Sequence, residues 1–282
     1  MVLTVLAGAM LASMDAVGKY LTADLDVLQI VWARYTFHTL IVLGVLAARG
    51  GLGFVRARRP GLQTLRGGAL LGATLCLYTA LAYVPLADAT AVQFFAPVLV
   101  TVLSGIFLRE HVGARRIAAV LAGFGGVLLI VRPGLAGGDW HMLLPLGAAC
   151  MLALYLLLTR RLSGADDSRT TLFYTTALGA VLLTLVVPAV WRTPAPEALA
   201  LMIAMGALGA TAHLGLIIAF GFAPASVLSP FLYAQLVWAG VVSVLYFGDP
   251  LTPPMIIGAL VLVVSGLYIW WRESVGPADV HR

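Results

Sequence analysis

Ten stretches of about twenty residues, each almost unbroken in apolar side chains, follow one another along this chain with only short charged, Gly- or Pro-bearing gaps. They fall near residues 2–21, 28–48, 66–84, 89–108, 116–131, 142–159, 171–190, 198–222, 226–247 and 254–271. A helix needs about 20 residues to cross the hydrocarbon core of a bilayer. Runs such as Val181–Val187 are apolar on every side, without the in-and-out alternation of a membrane barrel. Helices are then the only spanning structure that satisfies the backbone internally. With 61% hydrophobic and 10% charged residues, against about 25% charged in a soluble domain, a water-soluble fold is excluded. The expected class is an all-α membrane protein with ten transmembrane helices and no sizeable soluble domain. The first run lacks a basic leader segment and carries Asp15 and Lys19, so it reads as the first span instead of a signal peptide.

Basic residues set the orientation. Arg49, Arg56, Arg58, Arg59 and Arg66 crowd the second loop. Arg109, Arg115 and Arg116 lie in the fourth, Arg160, Arg161 and Arg169 in the sixth, and Arg272 and Arg282 after the last span. The odd-numbered loops hold Lys19, Arg132 and Arg192. Thirteen against three places the even loops and both termini in the cytoplasm by the positive-inside rule. The net charge of +5 therefore reflects topology and attraction to lipid head groups, not a nucleic-acid partner. Cys76 and Cys150 lie inside apolar runs, and neither a disulfide framework nor a metal site is expected from them.

Displacing the chain by 139 residues lays Pro85 on Pro224, Tyr35-Thr36 on Tyr174-Thr175, Gly67 on Gly206, Ser104 on Ser243 and Glu110 on Asp249. The two units are residues 1–136, with spans 1 to 5, and 137–282, with spans 6 to 10. Five is odd, so the second unit enters the membrane from the opposite side, which is the inverted repeat that secondary carriers use. Loop charges agree: the cluster Arg109, Glu110, Arg115, Arg116 corresponds to Asp249, Pro250, Pro253, Pro254, where the basic residues have gone.

The segment Tyr83–Gly134 has an Ala/Thr-rich helix entry, a mid-helix Pro97, the acidic Glu110 after that helix, and a Gly-rich fifth span ending in Arg-Pro-Gly. Together with MDAVGKYL at Met14–Leu21 and IVWARYTFH at Ile30–His38, it resembles the EamA-type carriers of the drug/metabolite transporter superfamily. The stretch Ala219–Arg272 is similar but degraded, with Asp249 where Glu is expected and Ser265 opposite Gly126. The resemblance covers nearly the whole chain. It implies a central cavity between the halves, alternating access, and a cargo drawn from amino acids, purine-type metabolites, vitamins, methylated nucleosides or metallophores. It does not single one out.

Ionisable groups inside a bilayer usually face the bundle interior and mark a pathway. Asp15 lies about six residues before the end of span 1 and Arg34 about six after the start of span 2, so at 1.5 Å per residue they reach similar depth and can pair, either on a zwitterionic solute or as a structural lock. Lys19 shares the face of Asp15, and snorkelling to the surface explains it. His38 and His213 sit mid-span, where a solute, a coupled proton or an interhelical hydrogen bond would each account for them. Gln93 and Phe94 with Tyr233, Gln235 and Trp238 suit a planar or amphipathic solute in a mostly apolar pocket, to which Trp32, Tyr78 and Tyr155 can add polar groups. Pro97 and Pro230 remove backbone donors within spans and are candidate hinges. Trp270 and Trp271 read as interface anchors, and Glu110 as a loop partner for arginines.

No P-loop occurs, so the chain does not hydrolyse ATP, and neither G-x-S-x-G nor H-E-x-x-H is present. An intramembrane enzyme, a channel or a scaffold explains the inverted repeat less well than a carrier does. The expected function is a secondary transporter of the inner (plasma) membrane. It would move a small organic metabolite, an amino acid or related amphipathic compound outward, or alternatively bring in a vitamin or nucleoside-type metabolite such as riboflavin or S-adenosylmethionine. The partners expected are that small molecule and the lipid bilayer, with no cofactor and no metal. Proton coupling through Asp15 or a histidine stays open beside ion-free exchange, as does monomer beside homodimer.

Overall fold

The computed structural model describes residues 1–107, 113–132, 140–162, 164–222 and 225–275. Arg109, Glu110, Pro133-Gly134, Pro224 and Arg282, used above as landmarks, lie outside them. Among the described residues there is no strand, and ten helical segments are long and apolar enough to cross a membrane. The protein is a ten-span membrane protein built as two inverted five-helix repeats.

The spans begin and end where local chemistry dictates. The helix α1 covers Val2–Leu21. Asp26 caps α2 (Val27–Gly50), its carboxylate accepting from the Leu28 N–H at 2.8 Å. Pro60 occupies the first turn of α3 (Pro60–Leu81), where its missing N–H costs nothing. The fourth span is broken into α4 (Leu86–Gln93) and α5 (Ala96–Phe107), because Pro97 cannot donate to the Gln93 carbonyl one turn back. Then come α6 (Ala114–Val131), α7 (Leu143–Leu162), α8 (Ser168–Val186), capped by Asp167, and α9 (Pro196–Phe222). The ninth span is also interrupted: a short α10 (Ala225–Leu228) runs into a 3-10 turn at Ser229–Tyr233 holding Pro230, and α11 (Ala234–Phe247) resumes it. The chain ends in α12 (Pro253–Val275). The third span thus starts six residues before the expected Arg66, and the single helices expected for spans 4 and 9 are each divided.

Packing makes the repeat visible. Span 3 packs on 6 as span 8 packs on 1, span 2 on 8 as 7 on 3, and span 1 on 9 as 6 on 4, while 2 meets 7, 4 meets 9 and 5 meets 10. Exchanging each span with the one five places later leaves this pattern unchanged, which is what a two-fold axis relating the halves requires. The landmark glycines show it at atomic scale. A Cβ on Gly67 would meet the Tyr174 carbonyl across spans 3 and 7, and one on Gly206 would meet Phe37 and His38 across spans 8 and 2. Small residues here let backbones approach closely. Spans 1, 2, 3, 6, 7 and 8 interweave as a body, and the broken spans 4 and 9 with their partners 5 and 10 pack beside it.

Candidate functional site

The charged residues of spans 1 and 2 do meet. Arg34 Nη1 lies 3.6 Å from Asp15 Oδ1. Gly18, one turn after Asp15, has no side chain, so the Tyr78 ring of α3 crosses α1 at a place any Cβ would occupy. Its hydroxyl donates to Asp15 Oδ1 at 3.1 Å, and the Arg34 guanidinium sits 5.3 Å from its ring centre. The side chains of Asp15 and Arg34 are only 6% and 12% exposed. His38, one turn beyond Arg34, faces His213 of α9 edge to face at 5.6 Å, and its Nε2 is buried without a hydrogen-bond partner. These five residues form one closed cluster joining spans 1, 2, 3 and 8.

The hollow suited to a solute lies elsewhere. A cavity of about 350 Å³ opens between spans 4, 6, 9 and 10, at the end of the bundle where spans 4, 6 and 10 finish. Both interrupted spans contribute: Pro97 and Pro230 line it, as do the aromatics Phe94, Tyr233 and Trp270. Phe94 and Tyr233 are repeat equivalents, so their rings, 5.3 Å apart and tilted by 33°, meet about the two-fold axis. Gly266 leaves room for the Tyr233 hydroxyl. Thr101, Ser104 and Arg160 supply the polar edge, and among the described residues no carboxylate lines the cavity. Two larger hollows, of about 760 and 610 Å³, flank spans 9 and 10 among outward-facing Val237, Leu260 and Val264, the side chains that lipid tails meet.

This changes the expected site in several respects. A central cavity between the halves was expected, with Asp15 and Arg34 either on the solute or in a structural lock, yet neither lines the cavity: each is engaged by the other and by Tyr78. Trp238 is 42% exposed in a lateral groove and donates to Ser13 Oγ at 2.9 Å. Trp32 donates to Thr184 Oγ1 at 2.9 Å and packs on Trp191. Gln93 is half-buried at the end of α4 and Gln235 rests its backbone against Gly8, outside the cavity lining.

Tyr155 is engaged by Arg66, which is a buried span residue at 3% exposure instead of a loop cation. Arg66 donates to the Tyr155 hydroxyl (2.7 Å), Thr159 Oγ1 (2.7 Å), the Thr171 carbonyl (3.1 Å) and Thr175 Oγ1 (3.1 Å), tying span 3 to spans 6 and 7. A turn below, Asp166 accepts from the Arg58 N–H at 2.6 Å and the Gln63 amide at 3.0 Å. Slight burial raises the Asp166 carboxyl, but these bonds outweigh it and hold it below the ordinary carboxylate range. Thr101, Ser104, Arg160 and Trp270 were absent from the expected site. Thr101 and Ser104 share one face of the helix that carries Pro97, whereas Arg160 and Trp270 come from the ends of spans 6 and 10, with no sequence signal beyond their position.

Lys19 does not snorkel. Its Nζ donates to the Val84 carbonyl at 2.6 Å and lies 3.9 Å from Asp249 Oδ2.

Among known families, the EamA-like transporter family model matches residues 1–132 and again 139–271. The chain belongs to the EamA-like transporter family. This EamA-type chain is 31% identical to a riboflavin transporter of Vibrio cholerae serotype O1, over 95% of this chain and 91% of that one. It is 25% identical to an S-adenosylmethionine uptake transporter of Rickettsia felis, with the same two coverages. It is also 25% identical to the pseudopaline exporter CntI of Pseudomonas aeruginosa, over 93% of each. A crystal structure at 18% identity superposes with a TM-score of 0.67 over 98% of both chains, a likeness of fold. An EamA-type protein with such relatives is a multi-pass membrane transporter of small metabolites.

Proposed function

We propose that the protein is an uptake carrier of the inner membrane for a neutral, planar heteroaromatic metabolite of the riboflavin class. The observation that carries this reading is the cavity about the two-fold axis: facing aromatic rings, hydroxyls and, among the described residues, one arginine and no carboxylate. A flavin ring stacks on aromatic faces and its polyol chain takes hydroxyl partners. Amino acids and S-adenosylmethionine both carry an ammonium group, and the latter a sulfonium as well, and such cations call for a carboxylate or a richer aromatic cage. Of the two cargo readings that the sequence leaves open, vitamin uptake is therefore preferred over amino acid export. The name carried by the Vibrio relative supports it. The Rickettsia relatives favour S-adenosylmethionine as the second reading.

On this reading both termini are cytoplasmic and the cavity faces the cytoplasm. Arg66 leaves the count of loop cations, but the excess on the even loops persists. The units 1–136 and 137–282 are the symmetry mates, whereas spans 4, 5, 9 and 10 move against the body, bending at Pro97 and Pro230. Phe94 and Tyr233 contact the solute, and Asp15 with Arg34 locks spans 1 and 2. Among the described residues no carboxylate lines the cavity wall, which supports ion-free exchange over proton coupling. The test is initial uptake of radiolabelled riboflavin into proteoliposomes. Saturable uptake unaffected by excess S-adenosylmethionine or zwitterionic amino acids is expected. Absence of flavin uptake alongside S-adenosylmethionine uptake would overturn it in favour of the second reading.

A further inference from the structure

An inverted repeat lets the open cavity report on its closed mate. Displaced by 139 residues, the cavity wall falls at the opposite end of the bundle. Phe94 and Tyr233 exchange places, Thr101 becomes Gly240, Ser104 becomes Ser243, and Gly266 and Ile269 become Val127 and Ile130. Ser243, Val127 and Ile130 are buried, Ile130 against Gly258 of span 10, whereas Gly240 edges the lateral hollow of about 610 Å³. Ser104 Oγ, on the open side, donates only to the carbonyl a turn back, that of Thr101, at 3.1 Å.

Ser243 is instead built into a seal. Gly248, at φ +69°, turns the chain so that the Asp249 N–H donates to the Ser243 carbonyl at 3.0 Å. The Ser243 hydroxyl in turn donates to Asp249 Oδ2 at 3.0 Å and accepts from the Ala87 N–H at 3.4 Å. Lys19 closes this arrangement from span 1: 3.9 Å from Asp249 Oδ2, 5.3 Å from the Phe247 ring centre, and bonded to the Val84 and Leu81 carbonyls at the end of span 3. Spans 1, 3, 4 and 9 thus converge on one ion pair. Resting on the carrier reading above, we propose that Ser243 lies on the floor of a second, closed substrate vestibule on the external side, which admits the same planar solute once the Lys19–Asp249 pair parts.

The experiment is thiol labelling with a charged, membrane-impermeant maleimide, in a background with Cys76 and Cys150 replaced by alanine. S243C should label slowly from outside whole cells. Adding K19Q or D249N should accelerate that labelling at least ten-fold, and the swapped pair K19D/D249K should return it to within about two-fold of the slow rate. S104C should label only in inside-out vesicles. Detergent-solubilised protein running as one symmetric peak identifies the variants that fold, and either single gate variant suffices. Equal S243C labelling with the pair intact or broken overturns the proposal, as does S243C labelling from the cytoplasmic side alone. Labelling needs no transported solute, so a gate-dependent rate with no riboflavin uptake removes the flavin reading and leaves the vestibule standing.

Discussion

Arg34→Met removes the positive partner of a carboxylate that is 6% exposed and otherwise holds one hydrogen bond, from Tyr78. At 3.6 Å and an effective dielectric of about 20, two unit charges attract by about 5 kcal/mol, and breaking a buried pair by deleting one member costs about 3–5 kcal/mol. Asp15→Asn strands the guanidinium in the same way, at a similar cost. The double variant D15N/R34M leaves no buried charge, and the Asn still accepts from Tyr78, so it should lose only about 1 kcal/mol. Thermal unfolding of the purified protein in detergent, followed by tryptophan fluorescence, reads these differences. With about 2–4 °C per kcal/mol for a chain of this order of size, each single variant should melt on the order of 10 °C lower and the double close to the parent. A double variant that melts as low as the two single losses added together would refute the pairing energy. Flavin uptake by the double variant then separates two roles: retained uptake means a lock between spans 1 and 2, whereas a stable but inactive double means that the pair touches the solute.

Phe94→Ala and Tyr233→Ala should each lower riboflavin uptake at least ten-fold while shifting the melting temperature little, and Tyr233→Phe should keep most of the rate; equal rates in all three would remove the rings from the site. Pro97→Ala restores a missing hydrogen bond in span 4, so it should raise thermal stability while slowing uptake, a split that a purely structural proline would not give. An imposed proton gradient across proteoliposomes should leave the initial uptake rate unchanged, and a several-fold stimulation would argue for a proton carrier among Asp15, His38 and His213. The carboxyl of Asp166 is depressed on folding, so its contribution is complete above the ordinary carboxylate range and is lost as pH falls through that range to the depressed value. The parent should lose more thermal stability than Asp166→Asn between about pH 5 and 3, and parallel curves would show that this loop contact contributes nothing.

The architecture was legible in the sequence because a bilayer leaves the backbone so little choice. Ten apolar runs had to be helices, and Pro85, Gly67 and Ser104 with their mates revealed the repeat. Depth arithmetic alone brought Asp15 to Arg34, since helical rise fixes where a residue sits along the membrane normal. Rotation about each helix is what the sequence withheld. A polar residue in an apolar span tells its depth but not which neighbour it faces. Trp238 was therefore grouped with Gln235 and Phe94, although it points outward to Ser13, and Arg66 was assigned to a loop although four acceptors hold it, buried among Tyr155 and three threonines. Lys19 failed differently, because its partners Val84 and Asp249 come from spans 3 and 9, and no local pattern announces contacts across 65 and 230 residues.

The distribution of polar ties explains how a symmetric scaffold can move without falling apart. Arg34 with Asp15, Tyr78 with Asp15, Tyr35 with Thr74, Thr39 with Thr176, and Arg66 with its four acceptors all join members of the body made by spans 1–3 and 6–8. Within the second group, Arg132 donates to Thr252 and Ala87 to Ser243. Between the two groups, Trp238 donates to Ser13 and Lys19 pairs with Asp249 at 3.9 Å, with side chains 15% and 25% exposed. Such a part-hydrated pair lies toward the weak end of the range from about 1 kcal/mol in water to about 4 kcal/mol at a dielectric of 20. One or two kcal/mol biases an equilibrium by a factor of about 5–30, enough, on the gate proposed above, to favour the state in which that pair is closed and little enough to be broken every cycle. A tie as deeply buried as Asp15–Arg34 at the same place would hold the carrier in one state. The strong pairs therefore belong inside the body, and the weak one at the boundary that moves.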